Sequence, residues 1–110
     1  MIEETLAALV DRFNRHADRT PAIREELSGL ERTIAIRLSD GPSYAVDLKD
    51  GKLTNLRTAD HLPANVTIQT DTKTFESLVT KEIGPMKALV TRRLTIDGTL
   101  QDKLLFRKLL

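Results

Sequence analysis

Few side chains in this 110-residue chain stand where bond-making chemistry would need them. His16 and His61 are the groups best suited to proton transfer or metal ligation near neutral pH. Neither has a second ligand at a three- or four-residue helical step, so both read as solvated side chains. Ser28, Ser39, Ser43 and Ser77 carry hydroxyls, but none lies in a Gly-x-Ser-x-Gly elbow and none has a histidine nearby in sequence. Glu25, Glu26, Asp71 and Glu82 read as helix caps and exposed charge, and no glycine-rich phosphate loop is present. With no cysteine there is no disulfide framework, thiolate nucleophile or zinc–cysteine site. The expectation is a protein that is not an enzyme and holds neither metal nor cofactor.

What remains is apolar. Phe75, Leu78, Val79, Ile83, Met86, Leu89, Leu94, Ile96, Leu100, Leu104 and Leu105 recur through the last third of the chain. An apolar stripe at helical spacing fits a filled core as well as the wall of a pocket, and the flexible thioether of Met86 suits a wall that meets varied ligands. Arg92 opens the strand of Leu94 and Ile96 and shares their face by alternation. Its guanidinium then stands at the rim, where it could hold a carboxylate or phosphate headgroup, or it bends out into water.

These residues need a frame, and periodicity supplies one. Residues 2–17 form an amphipathic helix with Ile2, Leu6, Leu9, Val10 and Phe13 on one side. Thr20-Pro21 is an N-cap and first-turn proline, Ile23, Leu27 and Leu30 continue the stripe, and Gly29 ends the helix. The period then drops from 3.6 to 2. Ile34, Ile36 and Leu38 alternate with polar or small residues, as do Tyr44, Val46 and Leu48, and Asp50-Gly51 is a hairpin turn. In the next strand Leu53 and Leu56 break parity, which predicts a bulge or an edge position. A connection over 58–64 leads to a strand at Val66 and Ile68. Asp71 caps a helix over 75–83 that Gly84 ends, Pro85 opens a short helix, Leu94 and Ile96 form a fifth strand, and a helix runs from Leu100 to Leu110. Only one parity of the sheet is apolar, so helices cover one face and water the other. The fold class is α+β: a single two-layer domain over residues 1–110, with a five-stranded, mostly antiparallel sheet and helices on one face.

The run Leu78 to Leu104 resembles the sterol carrier protein type 2 family, the nonspecific lipid-transfer domain. The marks are an apolar helix into Gly84-Pro85, then Ala88-Leu89-Val90, then Leu94-Thr95-Ile96-Asp97-Gly98, then a second apolar helix. The order of elements is similar over nearly the whole chain. Arg92 departs from the family, which commonly has glycine just before the last strand, and the helical segment Pro21 to Ser28 is additional. The resemblance implies an apolar tunnel between sheet and helices that takes fatty acids, acyl-CoA or sterols, with the eleven apolar residues named above and Arg92 as the ligand-binding set. The function expected is lipid binding or transfer. The alternative is an accessory or dimerisation module whose apolar groove holds a partner protein.

A net charge of +1 and an aromatic content of 4% offer neither the basic density nor the stacking platforms that nucleic acid favours. No apolar run approaches a membrane span and the acidic start is unlike a secretory signal, so the location expected is cytoplasmic. The last helix is apolar nearly all round. Leu100 and Leu104 are expected on the sheet, with some of Leu105, Phe106, Leu109 and Leu110 against a ligand, a membrane surface or a second subunit in a homodimer.

Overall fold

The computed structural model describes residues 2–58 and 63–103. Helix α1, Ile2–Arg19, carries Glu3 and Glu4 in its first turn and His16 and Arg19 in its last, the arrangement its dipole favours. Leu6, Phe13 and Ala17 are its buried residues. Helix α2, Pro21–Leu27, starts with proline at a position whose N–H would be unbonded anyway. Thr20 precedes it as expected, yet its hydroxyl makes no cap; its carbonyl instead accepts from the N–H of Ile23 and Arg24 at 3.0 and 3.3 Å.

Strands β1 Glu31–Leu38, β2 Ser43–Lys49 and β3 Lys52–Thr58 form the meander. Asp50 and Gly51 join β2 to β3 with φ of +52° and +78°, the paired positive values of a two-residue hairpin turn. Strand β4, Val66–Thr70, returns parallel to β1, and β5, Thr95–Asp97, pairs with β4 antiparallel. The sheet order is β3-β2-β1-β4-β5. Ile34, Ile36, Leu38, Tyr44, Val46, Leu48, Val66 and Ile68 are buried on the face that α1 and helix α3, Thr72–Val79, cover. On the other face Thr33, Asp47 and Arg57 bond to one another across three strands. Gln69, Thr95 and Asp97 are exposed there. Ala35 and Ala45, opposite each other on that face, are nonetheless buried, because a methyl group is short enough to be hidden among longer side chains.

Three expectations are corrected. The helix expected over 75–83 begins at Thr72, where Asp71 Oδ1 accepts from the N–H of Thr74 at 3.0 Å, and stops at Val79. Glu82 N–H bonds to Ser77 O and Lys81 N–H to Leu78 O, a Schellman ending with Lys81 at φ +64°. Ile83 therefore lies outside the helix, though it is buried. Arg92 does not open a strand. Helix α4, Pro85–Val90, ends in the same motif, with Arg92 N–H on Leu89 O, Arg93 N–H on Ala88 O and Arg92 at φ +61°; β5 starts three residues later. Leu100, expected on the sheet, is 74% exposed. Thr99 Oγ1 accepts from the N–H of Asp102, and the Asp102 carboxylate is buried against Arg32 Nε at 2.8 Å. Two residues are about 200° on a helix, so drawing Asp102 inward turns Leu100 out. The helix expected over 100–110 is described only as far as Lys103, and Leu104, Leu105, Phe106, Leu109 and Leu110 lie outside the described residues.

Candidate lipid-binding cavity

Between α1, α3 and the sheet lies a cavity lined by apolar side chains alone. Helix α1 supplies Leu6, Leu9, Val10 and Phe13, the stripe that its 3.6-residue period gathers on one side. Ile34 and Ile36 of β1, Val46 of β2 and Ile68 of β4 form the floor, and Phe75 of α3 closes one end. Leu53 and Leu56 of β3 complete the wall. They are three apart and should face opposite ways. A register shift between Ala45 and Asp47, with Asn55 at φ +58°, inserts one residue and turns both toward the cavity.

The volume is about 40 Å³, close to the share of liquid volume that one water molecule takes, about 30 Å³. Pockets that hold small ligands run from about 300 Å³ upward. A lipid chain could occupy this site only if the wall moved, and α1 is the wall with attachments that can be named. Asn14 bonds twice to the backbone of Leu53, donating to its carbonyl and accepting from its N–H, both at 2.8 Å. Lys52 pairs with Asp18 at 3.2 Å and Arg12 donates to Val79 O at 3.3 Å. These ties hold the C-terminal half of α1. Toward the N-terminus, the Tyr44 hydroxyl donates to Glu3 at 3.2 Å. Burial, then the hydrogen bond and charge of Glu3, push the Tyr44 phenol above its ordinary value.

The structure divides the residues singled out from the sequence. Phe75 lines the cavity. Leu78, Ile83 and Leu94 are buried in the same core, and Val79, Leu89 and Ile96 are half-buried against it. Met86, at 51%, and Leu100 are exposed. Arg92 is exposed and lines a different, open and polar groove with Arg37 and Arg93. Leu104 and Leu105 fall outside the described residues. The residues of α1 and β3 that wall the cavity are not among the ligand-binding set expected from the sequence. One signal for it was present: the broken parity of Leu53 and Leu56 opposite a helix whose stripe widens at the adjacent pair Leu9-Val10.

Among the described residues no group of three His, Asp or Glu side chains is placed to hold a metal ion, and no helix is long and apolar enough to cross a membrane. Asp71 is held below the usual carboxylate value first by its Thr74 hydrogen bond, and Asp40 by bonds from the N–H and hydroxyl of Thr72. Both are structural clasps at the start of α3 and face no apolar cavity.

Among solved structures, the chain is similar to a sterol carrier protein 2 at 18% identity and a TM-score of 0.65, covering 93% of this chain and 90% of that one. A conserved protein of Thermus thermophilus, described as possibly a sterol carrier protein, is 21% identical with a TM-score of 0.59 over 86% of this chain and 73% of that chain. A stereoselective inverting sec-alkylsulfatase from Pseudomonas sp. is 22% identical with a TM-score of 0.63. That match covers 79% of this chain but only 14% of the sulfatase. No curated protein matches in sequence. At these identities the structures establish the fold alone. Residues 11–110, nearly the whole chain, match the SCP-2 sterol transfer family in sequence, and it is to this family that the protein belongs.

Proposed function

We propose that this protein binds a long-chain acyl lipid, an acyl-CoA or a sterol-like molecule between α1, α3 and the sheet, and carries it without making or breaking bonds. The observation that carries the reading is the cavity itself, walled by hydrocarbon and aromatic side chains and nothing else. Such a wall offers a ligand solvent exclusion and little more. Each buried methylene contributes roughly 0.8 kcal/mol, so a sixteen-carbon chain gains on the order of 12 kcal/mol gross. Lost translational freedom and the work of parting α1 from the sheet are subtracted, which leaves a Kd on the order of micromolar. Asn14, Asp18 and Arg12 hold the C-terminal half of α1 to β3 and α3, and Glu3 ties its first turn to Tyr44, so parting α1 from the sheet breaks some of these contacts.

Native mass spectrometry of the purified protein tests the binding, with a bound apolar mass expected. Displacement of a fluorescent fatty acid then ranks acyl chains against sterols. A protein that shows neither a bound mass nor uptake of any of these ligands would overturn the reading.

A further inference from the structure

Ile36 of β1 and Ile68 of β4 floor the apolar cavity, and Phe75 closes one end of it. Two residues further along each strand, and one residue back along α3, the surroundings change character. Leu38, Thr70 and Thr74 line an open groove of about 510 Å³, large enough for a small ligand without movement of its walls. Arg37, Gln69 and Thr95 form a row across β1, β4 and β5 and line it too. The turn after α4 adds Arg92 and Arg93. The main chain of that turn is fixed. Arg92 N–H bonds to Leu89 O, Arg93 N–H bonds to Ala88 O, and Arg93 O accepts from the hydroxyl of the buried Thr70 at 2.9 Å.

The guanidiniums, by contrast, are free. All three arginines are exposed, and none forms an ion pair among the described residues. The lining holds one carboxylate, Asp71, which caps α3 through the N–H of Thr74 at 3.0 Å. Three guanidiniums and one carboxylate sum to a formal charge of +2. Arg92 is also held at φ +61°, a conformation that glycine adopts freely and other residues keep only at a cost. A guanidinium grips phosphate or carboxylate oxygens two at a time. One arginine suffices for a carboxylate, whereas three with a net charge of +2 match a group that carries two or more negative charges. No aromatic side chain lines the groove, so a nucleobase would find no ring to stack on, and the group recognised is the phosphate itself.

We propose that this groove is a binding site for a phosphate-bearing small molecule, whose oxygens Arg37, Arg92 and Arg93 hold. The phosphate has two sources. One, which rests on the carrier function proposed for the cavity, is the head of the bound lipid, whose chain lies beyond Phe75. The other is a free phosphorylated molecule.

Titration calorimetry of the whole chain with inorganic pyrophosphate, at constant ionic strength, tests the site. Pyrophosphate binds and acetate does not. Hydrogen bonds to a charged group are worth about tenfold or more in affinity. Arg92→Gly therefore weakens binding about tenfold, and it leaves the turn intact because glycine accepts its φ. Asp71→Asn keeps a capping side chain on α3 while removing the opposing charge, and it tightens binding severalfold. Lys81→Gly removes a cation from the same kind of helix ending, outside the groove, and leaves binding unchanged. Absence of pyrophosphate binding would overturn the proposal, and so would equal loss in Arg92→Gly and Lys81→Gly. The source is settled by displacement of a fluorescent fatty acid in vesicle-free buffer, with dodecyl phosphate against dodecanol. If the lipid carries the phosphate, dodecyl phosphate binds about tenfold tighter and Arg92→Gly removes the advantage. If the two bind alike while pyrophosphate binding depends on Arg92, the groove serves a free phosphorylated molecule and the site stands. A protein that binds pyrophosphate but takes up none of the chain ligands keeps this site and loses the carrier reading.

Discussion

Leu9 and Met86 assign the ligand to different places, and one substitution at each separates them. Leu9 is half-buried and lines the cavity under α1, whereas Met86 is 51% exposed on the outward side of α4. A carboxylate at position 9 points into a wall without a polar side chain. Once a lipid fills the space, that carboxylate is buried and unpaired, at a cost of several kcal/mol. At 1.4 kcal/mol per tenfold, a cost of about 4 kcal/mol is a roughly thousandfold loss of affinity. A carboxylate at position 86 remains in water and changes affinity by less than about 0.5 kcal/mol, or roughly twofold. Leu9→Asp and Met86→Asp are compared by displacement of a fluorescent fatty acid in vesicle-free buffer, with circular dichroism confirming the fold. If folded Leu9→Asp binds as the parent does while Met86→Asp does not, the ligand lies at α4 and the cavity under α1 is only an imperfection of packing.

The remaining contacts set three further outcomes. Asp102→Ala leaves the Arg32 guanidinium unpaired and lowers stability by about 2–3 kcal/mol, less than for a fully buried pair because Arg32 is partly solvated; in a double-mutant cycle the added Arg32→Ala costs little more. Gly98→Ala lowers the melting temperature sharply, since a Cβ there would meet Asn65 O at 2.9 Å and φ is +154°; a neutral result would show that the approach of β5 to β4 is looser than described. Acid and alkali act with opposite signs. Asp71 and Asp40 have depressed values in the fold, so the stability they give is present above the usual carboxylate value of 3.8 and is lost as pH falls below it. Asp47 behaves likewise, because bonds from Asn55, Arg57 and Thr33 outweigh the upward push of its partial burial. Tyr44 is raised above 10.0, so its contribution is present below that pH and is lost as pH rises through the folded value. Chemical denaturation across pH shows a plateau with losses at both ends.

Much of the fold was legible because the sheet alternates cleanly. Ile34, Ile36 and Leu38 against Tyr44, Val46 and Leu48 settle which face is buried, and Asp50-Gly51 settles the hairpin register. The cavity was harder to read for a physical reason. Apolar residues look alike in sequence whether they fill space or surround it, and the difference here is one inserted residue in β3 that swings Leu56 to the side of Leu53. Helix ends were misread where the chemistry departed from habit. Both α3 and α4 close on a basic residue in the left-handed region, Lys81 and Arg92, where glycine is the usual signal. A cation at a helix C-terminus is favoured by the dipole, which offsets part of the backbone cost.

The outward turn of Leu100 shows where periodicity stops being a guide. Burying one leucine side chain contributes about 2 kcal/mol. Rotating the turn would put Asp102 in water and leave the partly buried Arg32 guanidinium without its carboxylate, at a cost of about 2–3 kcal/mol. With Asp102 and Leu100 on opposite sides of the same turn, only one can face the sheet, and the larger quantity wins: Asp102 goes in to Arg32 at 2.8 Å. A helical wheel assigns the inward side by counting leucines and has no means of knowing that Arg32, seventy residues away in sequence, stands beneath the turn. The phase of that helix was therefore set by a long-range ion pair, and a reading that weighs only hydrophobic period rotates it by about half a turn.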